Sequence, residues 1–210
     1  VKLTLVTDGS SDRALLPILR WLLDLRSVAV FETAWADLRR LQRPPRGLPE
    51  RVRAAVNLHP CDLLVVHRDA ERGDIAQRRR EIAEATAGMK HAIVAAVPVR
   101  MTEAWLLFDE AAVRRASGCP NGTMPLALPS VKKVEALPDP KDVLYASMRE
   151  ASGLKGRRRA EFEPNIHRVA ELIDDFAPLW ALPSFQAMDE SLCAALLQLE
   201  ARQPAEDKTG

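Results

Sequence analysis

Three acidic side chains, Asp8, Asp69 and Glu71, stand directly after apolar runs of the chain, where carboxylates can gather around one hard cation. Asp8 follows Leu3-Thr4-Leu5-Val6-Thr7; Asp69 and Glu71 follow Leu63-Leu64-Val65-Val66-His67-Arg68. If the backbone is still extended at 69–71, period-2 alternation turns Asp69 and Glu71 to the same side. Acids placed just past two different strands of a parallel sheet converge on the crevice beyond its carboxyl ends. Three carboxylates in one place raise one another's pKa values, and a bound divalent ion removes that cost. An oxygen-only set of this kind suits Mg²⁺, with Mn²⁺ as the alternative. The competing reading is structural: Asp8 with Ser10 or Ser11 as turn and cap residues, Asp69 and Glu71 as solvated acids that open a loop.

Further candidates stand close by. Glu103, expected at the start of a helix after the fourth strand, can close a metal sphere or simply complement the helix dipole. Asp12 is a secondary acid that otherwise pairs with Arg13 or Lys2, or faces solvent. His67, two residues before Asp69, can share its face, although a histidine inside a buried strand is more often a hydrogen-bonded core residue. His59, His91 and His167 show no ligand spacing. Cys61, Cys119 and Cys193 lack CxxC or Cys/His spacing, so neither a disulfide framework nor a zinc site is indicated, and free thiols fit a reducing compartment. Lys155, Arg157, Arg158 and Arg159 form the densest basic run, Arg78-Arg79-Arg80 the next. Each run can neutralise phosphates without reading bases, or form a solvated helix face.

The elements that must position these residues follow from hydrophobic pattern. Strands are expected at 2–7, 28–35, 62–67 and 92–97, with helices between them near 15–23, 50–58 and 75–87 and a Pro-rich loop at 43–49. The continuous apolar run at 63–66 suits a strand covered on both faces, as in a parallel sheet. Alternating strands and helices imply right-handed crossovers and the α/β class, a Rossmann-like central parallel sheet flanked by helices. Beyond Pro98 the pattern changes to short helices broken by prolines, then helices near 141–151, 164–174 and 184–201. The expected organisation is an α/β core over 1–110, a helical extension over 111–202 packed on that core, and a frayed tail at 203–210.

At 210 residues the chain has room for one sizeable core. Lys and Arg number 30 against 29 Asp and Glu, a net charge of +1, so any polyanion site must be local. Aromatic residues at 5% leave little material for base-stacking surfaces. No apolar run has the length of a membrane span, and no leader pattern precedes the first strand; the expectation is a cytoplasmic protein with no membrane partner.

The segments Asp8-Gly9-Ser10-Ser11-Asp12 and His67-Arg68-Asp69-Ala70-Glu71, each closing a strand, resemble the two signature segments of the TOPRIM superfamily, which includes topoisomerases, primases and OLD-type nucleases. More narrowly, Pro98-Val99-Arg100-Met101-Thr102-Glu103-Ala104-Trp105-Leu106-Leu107 resembles a stretch of small bacterial stand-alone TOPRIM-like proteins, as do Leu137-Pro138-Asp139-Pro140-Lys141 and Pro183-Ser184-Phe185. The resemblance covers nearly the whole chain. It implies that Asp8 occupies the place of an acid/base Glu, and that Asp69 and Glu71 occupy the places of an Asp-x-Asp pair that binds Mg²⁺. Both segments depart from that pattern by one methylene, in opposite directions. The implied activity is metal-dependent phosphodiester hydrolysis or related phosphotransfer on nucleic acid, by analogy in defence against foreign DNA, with Lys141 as a phosphate contact. Two alternatives stand beside it. One is a non-catalytic binding subunit whose C-terminal part docks a protein partner. The other is a nucleotide-binding module that uses the Gly9-Ser10-Ser11 loop, although that loop has neither GxGxxG nor GxxxxGK[ST].

Overall fold

Four strands, β1 (Lys2–Val6), β2 (Glu32–Trp35), β3 (Leu63–His67) and β4 (Ala92–Ala96), form one all-parallel sheet in the order β2-β1-β3-β4. They belong to a computed structural model that describes residues 1–27, 29–70 and 74–202. Glu71, Val28 at the start of the expected second strand, and the expected frayed tail at 203–210 lie outside the described residues. In the register, Leu3 sits opposite Leu63 and Leu63 opposite Ala92. All five residues of β3 are buried, as its unbroken apolar run requires.

The pleat divides the core in two. Leu3, Leu5, Leu63, Val65, Val94 and Ala96 face one side, where Leu15, Ile18, Leu19 and Leu22 of α1 (Leu15–Arg26) pack on them. Val6, Leu64 and Val66 face the other, against Val52 and Ala55 of α2 (Leu48–Leu58) and Ile82 of α3 (Ile75–Ala85). The fold is α/β and Rossmann-like. From β1 the chain crosses to β2 on one side and then returns to β3 on the other. The order therefore reverses between β1 and β3, and the crevice past their carboxyl ends is where such sheets bind ligands.

Beyond β4 a 3₁₀ turn (Thr102–Leu106) leads into α4 (Glu110–Ala116), α5 (Pro140–Ala151), α6 (Gly156–Ala160), α7 (Ile166–Leu172) and α8 (Pro183–Arg202). The expected α-helical start at Glu103 is thus a 3₁₀ turn. Trp105, Met148, Val169, Phe176 and Phe185 from this part join the core on the α1 face. Trp105 and Phe185 meet edge to face, with centroids 5.3 Å apart. Ser191 of α8 accepts the Ala95 N–H at 3.2 Å, which satisfies a donor that the open edge of β4 would leave unpaired. Among the described residues no helix is long and apolar enough to cross a membrane.

Candidate metal centre

Strand periodicity sets the first member of the site. Leu63, Val65 and His67 alternate onto the α1 face of the sheet, and His67 is fully buried where that face ends. Asp69 follows two residues later. The loop after β1 sets the second member. Thr7 Oγ1 donates to the Gly9 carbonyl at 2.6 Å, and the Asp12 carboxylate folds back to accept the Gly9 N–H at 2.8 Å. This local turn buries Asp12 and leaves Asp8 on the other side of the loop. The 3₁₀ turn after β4 brings in Thr102 and Glu103, both buried.

One ligand atom from each of Asp12, His67 and Asp69 lies within 4.8 Å of the others. His67 Nε2 is 3.0 Å from Asp69 Oδ1 and 3.1 Å from Thr102 Oγ1, and that hydroxyl donates to Asp12 Oδ1 at 3.4 Å. An ionised carboxylate only accepts, so the acceptor chemistry assigns a proton to Nε2. Nδ1 then faces Asp12 Oδ2 at 3.5 Å without hydrogen-bond geometry, a buried ring nitrogen with no hydrogen-bond partner among the described residues. A histidine whose far nitrogen is fixed by a carboxylate and whose near nitrogen is unpartnered beside a second carboxylate has the arrangement of a metal-ligating imidazole.

Burial pushes the Asp12 carboxyl above its ordinary range, with Asp69 and Asp8 adding to the rise and His67 and the Gly9 N–H opposing it. Burial also pushes Glu103 up, opposed by its own N–H and by Lys141, and reinforced by Asp12 and Asp69. Burial alone would lower His67, but the hydrogen bond to Asp69 and the charges of Asp12, Asp69 and Asp8 outweigh it and raise the imidazole. The cluster concentrates negative charge in a dry place, where Lys141 Nζ stands 3.7 Å from Glu103 Oε1. A bound divalent cation removes this cost, as do protons on Asp12, Glu103 and His67.

The other anticipated residues are distributed differently. Asp8 is outside the set of converging ligand atoms: Arg51 Nη1 holds its Oδ1 at 2.6 Å and Arg68 Nε holds its Oδ2 at 2.9 Å. Glu71 lies outside the described residues. Lys155, Arg157 and Arg158 sit on or next to the short, exposed α6, where Arg157 pairs with Glu161 at 2.6 Å. Among the described residues no ion pair or hydrogen bond joins that helix to the carboxylates. In the second basic run Arg78 pairs with Glu81, and Arg79 donates to the Ala187 carbonyl of α8 at 2.9 Å. The Gly9 N–H, a donor that a phosphate-cradling loop would need, is engaged by Asp12. Sequence patterns assigned no role to Thr102, Arg51 or Arg68. The first was signalled only by its place beside Glu103, and the two arginines by nothing, because their partner Asp8 is remote in sequence.

Comparison of the chain with protein-family models, with curated proteins and with solved structures gives no match.

Proposed function

We propose that the protein is a divalent-metal-dependent phosphodiesterase that acts on nucleic acid, the activity that its resemblance to TOPRIM proteins implies. One observation carries this reading. Asp12, His67 and Asp69 meet at the switch point of a parallel sheet, and His67 Nδ1 is buried there without a hydrogen-bond partner among the described residues. Asp12 and His67 Nδ1 would hold the ion, Asp69 would orient the ring through Nε2, and Glu103 stands next to them. An imidazole in an otherwise carboxylate set favours Mn²⁺ over Mg²⁺, which binds few dedicated protein cages. When bound, such an ion supplies positive charge to a phosphoryl oxygen and lowers the pKa of a water. Thr102 fixes the orientation of Asp12 and His67 together. Lys141, its side chain 41% exposed, offers an ammonium at the rim of the cluster for a phosphate oxygen. A cytoplasmic location fits the three free cysteines, and a role in defence rests on the resemblance alone.

A second reading, a non-catalytic binding subunit, has one observation in its favour. Both oxygens of Asp8, the acid that the resemblance makes catalytic, are held by arginines. Cleavage of labelled single- and double-stranded DNA and RNA with Mn²⁺, Mg²⁺ or EDTA separates the two. The phosphodiesterase reading expects metal-dependent cutting that falls by at least about a hundredfold in Asp12→Asn and Asp69→Asn. Folded protein that cuts no substrate with either metal moves the assignment to the binding subunit.

A further inference from the structure

We propose that the cleft between the carboxyl ends of β1 and β2 is a second, metal-independent subsite that takes one phosphate-bearing unit of a single nucleic-acid strand, and that Asp8 is its built-in competitor. The choice of a nucleic-acid strand rests on the phosphodiesterase reading. The cleft has a volume of about 200 Å³, and Asp8, Trp35, Arg39, Arg46 and Arg51 are among its lining residues.

Charge favours such a ligand. Asp37, one of the two acids of the lining, is taken by Arg39 at 2.8 Å and Arg40 at 3.1 Å. Asp8, the other, is taken by Arg51, whose side chain is only 17% exposed, and by Arg68, which also reaches Glu81 at 3.1 Å. Glu81 is shared in turn with Arg78. Arg46 is exposed, and among the described residues its guanidinium makes no ion pair or hydrogen bond. The nearby Glu50 carboxylate turns instead to the backbone N–H groups of Arg46 and Gly47, at 3.4 Å each. The lining therefore carries three guanidinium groups, Arg39, Arg46 and Arg51, against two carboxylates, and Arg51 and Arg68 each give Asp8 one N–H, as they would give a phosphate oxygen.

Shape favours it too. Trp35 is fixed by its Nε1 donating to Thr7 Oγ1 at 2.9 Å, and Arg39 lies over its ring at 5.3 Å. Pro44 and Pro45 form a rigid part of the lining. Such a space is smaller than the roughly 300–1,000 Å³ of pockets for drug-sized ligands, and it suits a phosphate with its sugar rather than a duplex. The location links the cleft to the metal cluster. Asp8 faces the cleft while Asp12 faces the cluster, and the Gly9 N–H to Asp12 bond ties the two sides of this one loop together. A phosphate of that strand must displace Asp8 to bind the arginines.

The test is fluorescence anisotropy of a labelled six-residue oligothymidylate with the full chain in EDTA, so that no metal contributes. Asp8→Asn keeps the shape but removes the competing charge, and the subsite reading expects the affinity to rise several-fold. Arg46→Gln, at an exposed position, is expected to weaken binding about three- to tenfold and to lower the salt dependence by about 0.7 in the log–log slope. Arg51→Gln should weaken binding further, but Arg51 also holds the Thr7 carbonyl, so the other two variants are the decisive ones. Affinity indifferent to both Asp8→Asn and Arg46→Gln overturns the subsite, whether or not the protein cuts nucleic acid. Free thymidine monophosphate or inorganic phosphate that binds as tightly as the oligomer overturns the strand reading. Affinity that follows the substitutions in a protein that never cuts keeps the subsite and removes the phosphodiesterase.

Discussion

Glu103 is 2% exposed, and its cationic neighbour Lys141 stands 3.7 Å away, an arrangement that stability alone does not favour. Burial raises its pKa above the ordinary value of 4.5, so the folded state holds the proton more tightly than the unfolded state. A carboxyl shifted in this direction leaves stability intact at low pH and lowers it as pH rises from the unfolded value through the folded one. Glu103→Gln keeps the shape and removes the titration. In EDTA, the melting temperature of the wild type should therefore fall relative to Glu103→Gln as pH rises above the ordinary value of 4.5, while the variant binds metal more weakly. Parallel melting curves above that value would mean that Glu103 carries no such cost. Asp12 is raised by burial in the same way, and His67 compensates it in part.

Among the elements, the link from β4 to the 3₁₀ turn is where the backbone is strained. The Met101 N–H donates to the Val99 carbonyl at 3.0 Å, and Arg100 between them has φ 69°. This is a three-residue turn of the rare hand, occupied by a residue with a Cβ, two positions before Thr102. Strain of this kind gathers at functional sites. Arg100→Gly should relieve it by about 0.5–1 kcal/mol net of glycine's unfolded-state entropy. At roughly 2–4 °C per kcal/mol for a chain of this size, the melting temperature should rise by a few degrees while the proposed metal-dependent cleavage falls. A glycine variant less stable than the wild type would show that the arginine side chain contributes more than the turn costs. The elements themselves were largely legible in the sequence. Runs such as Leu63-Leu64-Val65-Val66 are buried on both faces and therefore continuous, whereas the shorter, half-exposed β2 gave a weaker signal. Asp69 and His67 were legible because alternation along a strand fixes their face. Spacing alone favours Asp8 over Asp12, because the turn at Gly9 decides which acid points inward, and that depends on two hydrogen bonds. The arginine clamp on Asp8 joins residues far apart in the chain, beyond the reach of any local pattern.

Over the molecule as a whole, the cluster sits where three parts of the chain meet: the loop after β1, the end of β3, and the turn that opens the C-terminal helices, with Lys141 of α5 at its rim. An ion held there would bind only the folded chain, and at a hundred times its dissociation constant it would add about 2.7 kcal/mol of stability. Under the two proposals the sides of the β1 loop have separate tasks, Asp12 toward metal and Asp8 toward the strand. Calorimetric titration of Mn²⁺ and Mg²⁺ into metal-free wild type, Asp12→Asn, Asp69→Asn and His67→Gln decides whether the metal centre exists. A centre built from these three residues predicts one site that prefers Mn²⁺, an affinity at least about tenfold lower in each variant, and a preference for Mn²⁺ that shrinks in His67→Gln. Folded wild type that binds neither ion, or binding unchanged in Asp12→Asn and Asp69→Asn, would contradict it.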